Sequence, residues 1–193
     1  MNIIVRQYGS DLCYCRPDTT WERENRDFYS PECVNEIYCA PVLFARISKA
    51  GKCIGEKFAG RYYDGIGFGI LMYCSMDGSM IDVATGSCID HTSILPMPLY
   101  NPVVLDNEEN CFELNVSRND GSQDIYRKAC SADDRKILEE TLCKASSLTS
   151  LRIGDFIAVE LVTPQKLISR AETGGEVKST FCENELFDFK IIF

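Results

Sequence analysis

Apolar and polar positions alternate with a period of two through much of this chain, and that period lengthens in one clear place. Cys111 to Ser117 (Cys-Phe-Glu-Leu-Asn-Val-Ser) shows the alternation best, as a half-buried strand requires. Asn119-Asp-Gly121 follows as a tight-turn signal, and Gln123 to Tyr126 reads as the returning arm of a hairpin. Asn2 to Tyr8, Val42 to Ser48, Ile66 to Cys74, Phe156 to Val162 and Leu186 to Phe193 are apolar and β-branched enough to form further strands. The longer period falls at Ser131 to Ala145, where Ile137, Leu138, Leu142 and Ala145 make one stripe. Ser131 stands where it can cap a helix, and Asp133 and Asp134 suit the positive end of its dipole.

Between these segments lie the breaks. Asp18 to Asn25 is polar, holds the only tryptophan (Trp21), and offers a helix start near Asp18 or Thr19. Ser30-Pro31, a Gly- and Lys-rich loop from Lys49 to Gly60, and Pro96-Met-Pro98 with Asn101-Pro102 interrupt the chain. Ile153-Gly-Asp155 turns into a strand that Thr163-Pro164 ends. The sum is about eight strands and one clear helix, a mixed α/β chain dominated by β-structure. One strand is unusual: Gly65, Gly67 and Gly69 share a face from which no side chain projects. Glycine in a strand often marks the close approach of a ligand or another backbone.

Composition narrows this picture. The 193 residues suit one domain spanning 1–193, and 45% hydrophobic with 25% charged residues is ordinary globular composition. The net charge of −9, with basic residues scattered singly, argues against nucleic acid and anionic membrane surfaces as partners. No apolar run reaches the ~18 residues of a membrane span. The N-terminal residues show no secretory pattern, and eleven cysteines cannot all pair. The expectation is a cytoplasmic protein whose thiols are mostly reduced, small buried hydrophobes. Cys13-x-Cys15, the only close pair, lacks the spacing and second pair of a structural zinc site.

An order of parts in the second half carries a resemblance. A strand runs into Val116-Ser-Arg-Asn119-Asp-Gly121-Ser-Gln123, a helix follows, then Leu151-Arg-Ile-Gly154-Asp155-Phe-Ile157, and Thr163-Pro164 closes the next strand. Upstream stand Ala40-Pro-Val-Leu-Phe44 and Tyr63-Asp-Gly-Ile-Gly-Phe-Gly-Ile-Leu-Met72. This resembles the fumarylacetoacetate hydrolase family over residues 40–193. The resemblance implies that family's catalytic-domain fold, a mixed β-sheet roll with few helices. It also implies a homodimer and chemistry on small keto acids, in which a divalent metal binds the substrate's oxygens.

A hard cation such as Mg²⁺ or Ca²⁺ needs several oxygen ligands. The family supplies two from a Glu-x-Glu strand, where this chain has Gly65-Ile66-Gly67. Side chains there cannot ligate a metal, so no cofactor is expected. Relocated ligands remain an alternative, with Asp64 and Glu56 as metal candidates and Asp90 and His91 as catalytic candidates. His91, the only histidine, could serve as a general base or as a hydrogen-bonded loop residue. On a strand Asp90 would face away from His91. Gly65, Gly67, Gly69, Arg46 and Gln123 are the candidates for lining a ligand pocket. The expected function is a catalytically degenerate relative of the family that binds a small molecule or serves a structural role. The alternative is a metal-dependent hydrolase or lyase acting on a keto acid.

Overall fold

The computed structural model describes residues 1–76 and 83–193. The strands of the first half are β1 (Asn2–Arg6), β2 (Cys13–Pro17), β3 (Trp21–Glu22), β4 (Phe28–Tyr29), β5 (Glu36–Ile47), β6 (Tyr63–Ser75) and β7 (Ser93–Ile94). Those of the second half are β8 (Cys111–Arg118), β9 (Gln123–Ala129), β10 (Phe156–Glu160), β11 (Gln165–Ser169), β12 (Gly174–Phe181) and β13 (Asn184–Ile192). They form two sheets. The larger runs β2-β1-β10-β5-β6-β7-β3, with β11 also on β5, and the smaller runs β4-β13-β12-β8-β9.

The two long strands β5 and β6 pair antiparallel and form the spine of the larger sheet. Along the other side of β5, β10 pairs with residues 42–46 and β11 with residues 36–39. Pro41 therefore sits inside β5 rather than before it, which extends the strand expected at Val42 to Ser48. Its carbonyl accepts from Leu161 N–H at 2.9 Å, so the position of its missing N–H faces the gap where β10 gives way to β11. A proline costs no ladder hydrogen bond there.

The main core fills the space between the sheets. Ile66, Phe68, Ile70 and Met72 of β6 pack with Phe112 and Leu114 of β8 and Val177 and Phe181 of β12. Phe68 stacks on Phe112 with ring centres 5.1 Å apart. The helix α1 (Val83–Gly86) is a single turn; α2 (Ala132–Leu148) adds Leu138, Leu142 and Ala145 to the core. The Asp134 carboxylate ties down the start of α2 by accepting from both the Ser131 N–H (2.8 Å) and the Ser131 hydroxyl (3.1 Å). The expected helix start near Asp18 is one 3₁₀ turn, Asp18–Thr20.

A second apolar cluster covers the opposite face of the larger sheet. It holds Ile3, Val5, Val42, Phe44, Leu71, Leu95 and Phe156, with Trp21 and Leu99 packed against it. Because side chains alternate along β6, the odd-numbered residues from Gly65 to Tyr73 belong to this face.

Candidate functional site

The strand carrying Gly65, Gly67 and Gly69 is where the resemblance places metal ligands, so its surroundings test that expectation. A Cβ built on Gly65 would lie 2.7 Å from Leu99 Cβ, and one on Gly67 would lie 2.6 Å from Phe44 Cζ. At Gly69 it would lie 2.2 Å from the carbonyl oxygen of Ile94. The bare face of the glycine strand is thus filled by neighbours rather than open to a ligand. Phe44 packs edge-on against Phe156 at 5.5 Å, and Trp21 against the same ring at 5.0 Å. Beside Gly65 and Gly67 an ion stripped of water would find the hydrocarbon of Leu99 and the ring of Phe44, not carboxylate ligands. The residues do not fit a divalent metal. Among the described residues no group of three or more His, Cys, Asp and Glu side chains is spaced to hold one elsewhere.

The relocated candidates are dispersed. Asp64 pairs with Arg46 across β5 and β6 at 3.2 Å, both side chains about half exposed. Glu56 opens an exposed 3₁₀ segment, Glu56–Arg61. Asp90 and His91 lie in a turn, not on a strand, and His91 takes a left-handed backbone with φ of 60°. Its Nδ1 lies 2.8 Å from Oε2 of Glu22, whose side chain is 5% exposed. The partner that orients His91 is therefore Glu22, not Asp90. Gln123 stands exposed at the start of β9. Among the described residues no hydrogen bond or ion pair joins any two of Glu56, Asp64, Asp90 and His91.

The His91–Glu22 pair borders a hollow of about 620 Å³. Phe28, Tyr29, Pro31 and Ile89 form its apolar wall, and Asp27 and Asp90 stand among its polar lining. Its volume lies within the range of small-molecule sites, and a mostly apolar wall with a few polar groups is their usual make-up. Glu22 is held firmly, since its Oε1 also accepts from the Glu24 N–H at 2.6 Å.

A second polar cluster lies at the far end of the glycine-bearing face. Glu160, at the end of β10, is 3% exposed. It accepts from the Tyr73 hydroxyl and, at 2.9 Å, from the Tyr8 N–H. Tyr73 is also hydrogen-bonded to Tyr14. Burial pushes the Glu160 carboxyl above its ordinary value, opposed by the Tyr73 hydrogen bond. Burial raises both phenols as well. Arg16 is wholly buried beside them, its guanidinium 5.1 Å from the centre of the Tyr73 ring. It donates to the carbonyls of Met72 (2.7 Å) and Ser87 (3.0 Å) and to the Thr92 hydroxyl (2.9 Å). Among the described residues its Nη1 has no acceptor. No periodicity of the sequence marks this cluster. Its only trace in the sequence is a charge set in or beside an apolar run, as in Phe-Ile-Ala-Val-Glu160.

No family model and no curated protein sequence matches the chain. Solved structures do. A structure assigned to the fumarylacetoacetate hydrolase family, from Yersinia pestis CO92, aligns with a TM-score of 0.71 at 12% identity, covering 99% of this chain and 92% of that one. Maleylpyruvate hydrolase from Sphingobium sp. SYK-6, in complex with manganese(II) ion and pyruvate, gives 0.70 at 12%, covering 99% and 69%. The 5-carboxymethyl-2-hydroxymuconate delta-isomerase from Mycobacterium smegmatis gives 0.70 at 13%, covering 99% and 78%. The chain has the fumarylacetoacetate hydrolase fold, as the order of motifs from Ala40 onward implies.

Proposed function

We propose that this chain uses the fumarylacetoacetate hydrolase fold without its metal-dependent chemistry, as a non-catalytic protein that binds a small molecule. The observation that carries the reading is the packing of Leu99, Phe44 and Ile94 against Gly65, Gly67 and Gly69. Hydrocarbon occupies the face on which the resemblance expects carboxylates, and restoring Glu at 65 or 67 would require that packing to open. Between a structural and a ligand-binding role, the hollow beside His91 supports the second, through its size and its apolar wall.

The solved maleylpyruvate hydrolase complex supplies the probes for a test, manganese(II) and pyruvate. Calorimetric titration of this protein with Mn²⁺ or Mg²⁺, alone and with pyruvate, is expected to show no saturable binding below millimolar concentration. Tight metal binding lost in Asp64→Ala or Asp90→Ala would overturn the proposal in favour of a hydrolase or lyase with relocated ligands. Cytoplasmic residence belongs to the same reading and is tested by fractionation. Among the described residues no helix is long and apolar enough to cross a membrane.

A further inference from the structure

The hollow beside His91 lies where the chain crosses from one sheet to the other. Its Glu22 belongs to β3, the last strand of the larger sheet, and its Phe28 and Tyr29 form β4, the first strand of the smaller one. The link between them is stapled to β13. Asn25 Oδ1 accepts from the Asp188 N–H at 2.7 Å, and Asp27 Oδ1 from the Lys190 N–H at 2.8 Å. The turn carrying Asp90 and His91 is tied by the His91 N–H, which donates to the Thr19 carbonyl at 3.3 Å. The walls are therefore set before a ligand arrives, which lowers the cost of binding.

The polar groups of this hollow are nearly all of one kind. Glu22, Asp27 and Asp90 bring carboxylates to it, against the guanidinium of Arg26, which pairs with Glu24. Glu22 is buried, and both of its oxygens are engaged, by the Glu24 N–H and by His91. An ionised carboxylate can only accept, so the proton in the His91 bond sits on Nδ1. That leaves Nε2 of the neutral ring as an acceptor. Asp27 spends one oxygen on Lys190. Among the described residues no hydrogen bond or ion pair engages its other oxygen or the carboxylate of Asp90.

The hollow thus sets negative charge and acceptors beside an apolar wall. A keto acid such as the pyruvate of the maleylpyruvate hydrolase complex would bring a like charge to these carboxylates. A bare divalent ion would find no suitably spaced group of ligands among the described residues. An ammonium on an apolar body suits both surfaces, because its N–H groups donate charge-assisted hydrogen bonds and its body covers the wall. The net charge of −9 draws such a cation in.

We infer that the hollow between β3, β4 and the 89–91 turn binds a small organic amine, with its ammonium toward Asp27, Asp90 and His91 and its apolar body on Tyr29, Pro31 and Ile89. This rests on the proposal that the hollow takes a small molecule, and adds that molecule's charge and class.

His91 is the only histidine, so its ring gives a single set of imidazole signals in a magnetic resonance spectrum and reports on this hollow. Three probes of similar shape separate charge from fit: phenethylamine, protonated at pH 7 as lysine is, neutral 2-phenylethanol and anionic 3-phenylpropionate. Phenethylamine is expected to move the His91 signals saturably at about millimolar concentration, the scale for so small a fragment. Binding of 2-phenylethanol should be about tenfold weaker, the effect of losing one charge-assisted hydrogen bond, and 3-phenylpropionate should not bind. Asp27→Asn and Asp90→Asn each keep an acceptor oxygen and remove one charge at an exposed position. Each should weaken phenethylamine about threefold, as expected for one exposed charge pair, with an unchanged circular dichroism spectrum. Equal binding of the three probes, or a preference for 3-phenylpropionate, would overturn the inference and leave the small-molecule reading standing. So would phenethylamine binding that neither variant weakens. If none of the three probes moves the His91 signals, the inference and the small-molecule reading fall together.

Discussion

At the scale of single residues, the glycine strand and the buried Glu160 make opposite demands on the same sheet face. Gly69 faces a backbone carbonyl that cannot rotate away, whereas Gly67 faces the far end of the Phe44 ring, which can tilt. Gly69→Ala is therefore expected to cost about 3 kcal/mol or more, and Gly67→Ala about 1 kcal/mol, within the usual span for overpacking. Urea denaturation of the two variants checks the order, and equal costs would show that the face is looser than its packing indicates. Glu160 makes a prediction with a definite pH sign. Its carboxyl titrates above the ordinary value of 4.5 because burial disfavours its charge. The folded protein thus holds this proton more tightly than the unfolded chain. The resulting stability is complete below the ordinary value and is lost as pH rises through the raised one. Glu160→Gln has no such loss. Its cost, about 1–3 kcal/mol at acid pH from the lost acceptor, should shrink as pH rises above 4.5. Denaturation midpoints of both proteins, measured in steps from pH 4 to 8, would show this convergence. These polar residues were hard to find in advance because they are isolated charges among apolar neighbours. Arg16, Tyr14, Tyr73 and Glu160 come from three strands that only the folded sheet brings together.

At the scale of elements, local pattern was enough where the structure is local. The β8–β9 hairpin and α2 stand where alternation, the Asn-Asp-Gly turn and the 131–145 stripe put them. The short strands β3, β4 and β7 carry little pattern of their own and exist because partners remote in the chain supply their hydrogen bonds. The parallel pairing of β1 with β10, joining Ile3 to Phe156, is likewise invisible to any local signal. Ser131 is the N-cap residue of α2, as its position implies, and it shares a reciprocal capping box with Asp134. The Asp134 carboxylate reaches back to Ser131 and also accepts from Lys128 at 2.9 Å. Asp134 is 5% exposed, so its bonds are shielded from water. Asp134→Ala is expected to destabilise the protein by about 1–2 kcal/mol, the usual loss of a capping interaction. Amide exchange should quicken first over Ser131 to Arg135. An unchanged exchange rate there would leave the helix start held by its packing alone.

At the scale of the whole molecule, the cysteines report how the fold divides inside from outside. All eleven are free thiols in this structure. Buried thiols were the expectation for most of them, but burial is complete only for Cys39, Cys74 and Cys130. Cys15, Cys33, Cys53 and Cys88 are exposed, and four more are intermediate. Of the two apolar runs that suggest buried cysteines, Met72-Tyr73-Cys74 holds a buried one, but Ser87-Cys88-Ile89 follows the short α1 and leaves Cys88 exposed. Cys33 and Cys53 sit in loops that no pattern orients. Burial pushes the Cys39, Cys74 and Cys130 thiols up to about 12, so they hold almost no thiolate at neutral pH. Because the thiolate is the reactive form, both access and protonation protect these three. A thiol-specific disulfide reagent added to the native protein at pH 8 should therefore react in phases. The four exposed thiols go first, and the four intermediate ones follow more slowly. Cys39, Cys74 and Cys130 should react only at the rate of opening of the surrounding sheets. Mass spectrometry of quenched samples assigns each modification to its residue. Early modification of Cys39 or Cys74 would mean that β5 and β6, the spine to which both sheet faces are attached, open far more readily than their packing allows.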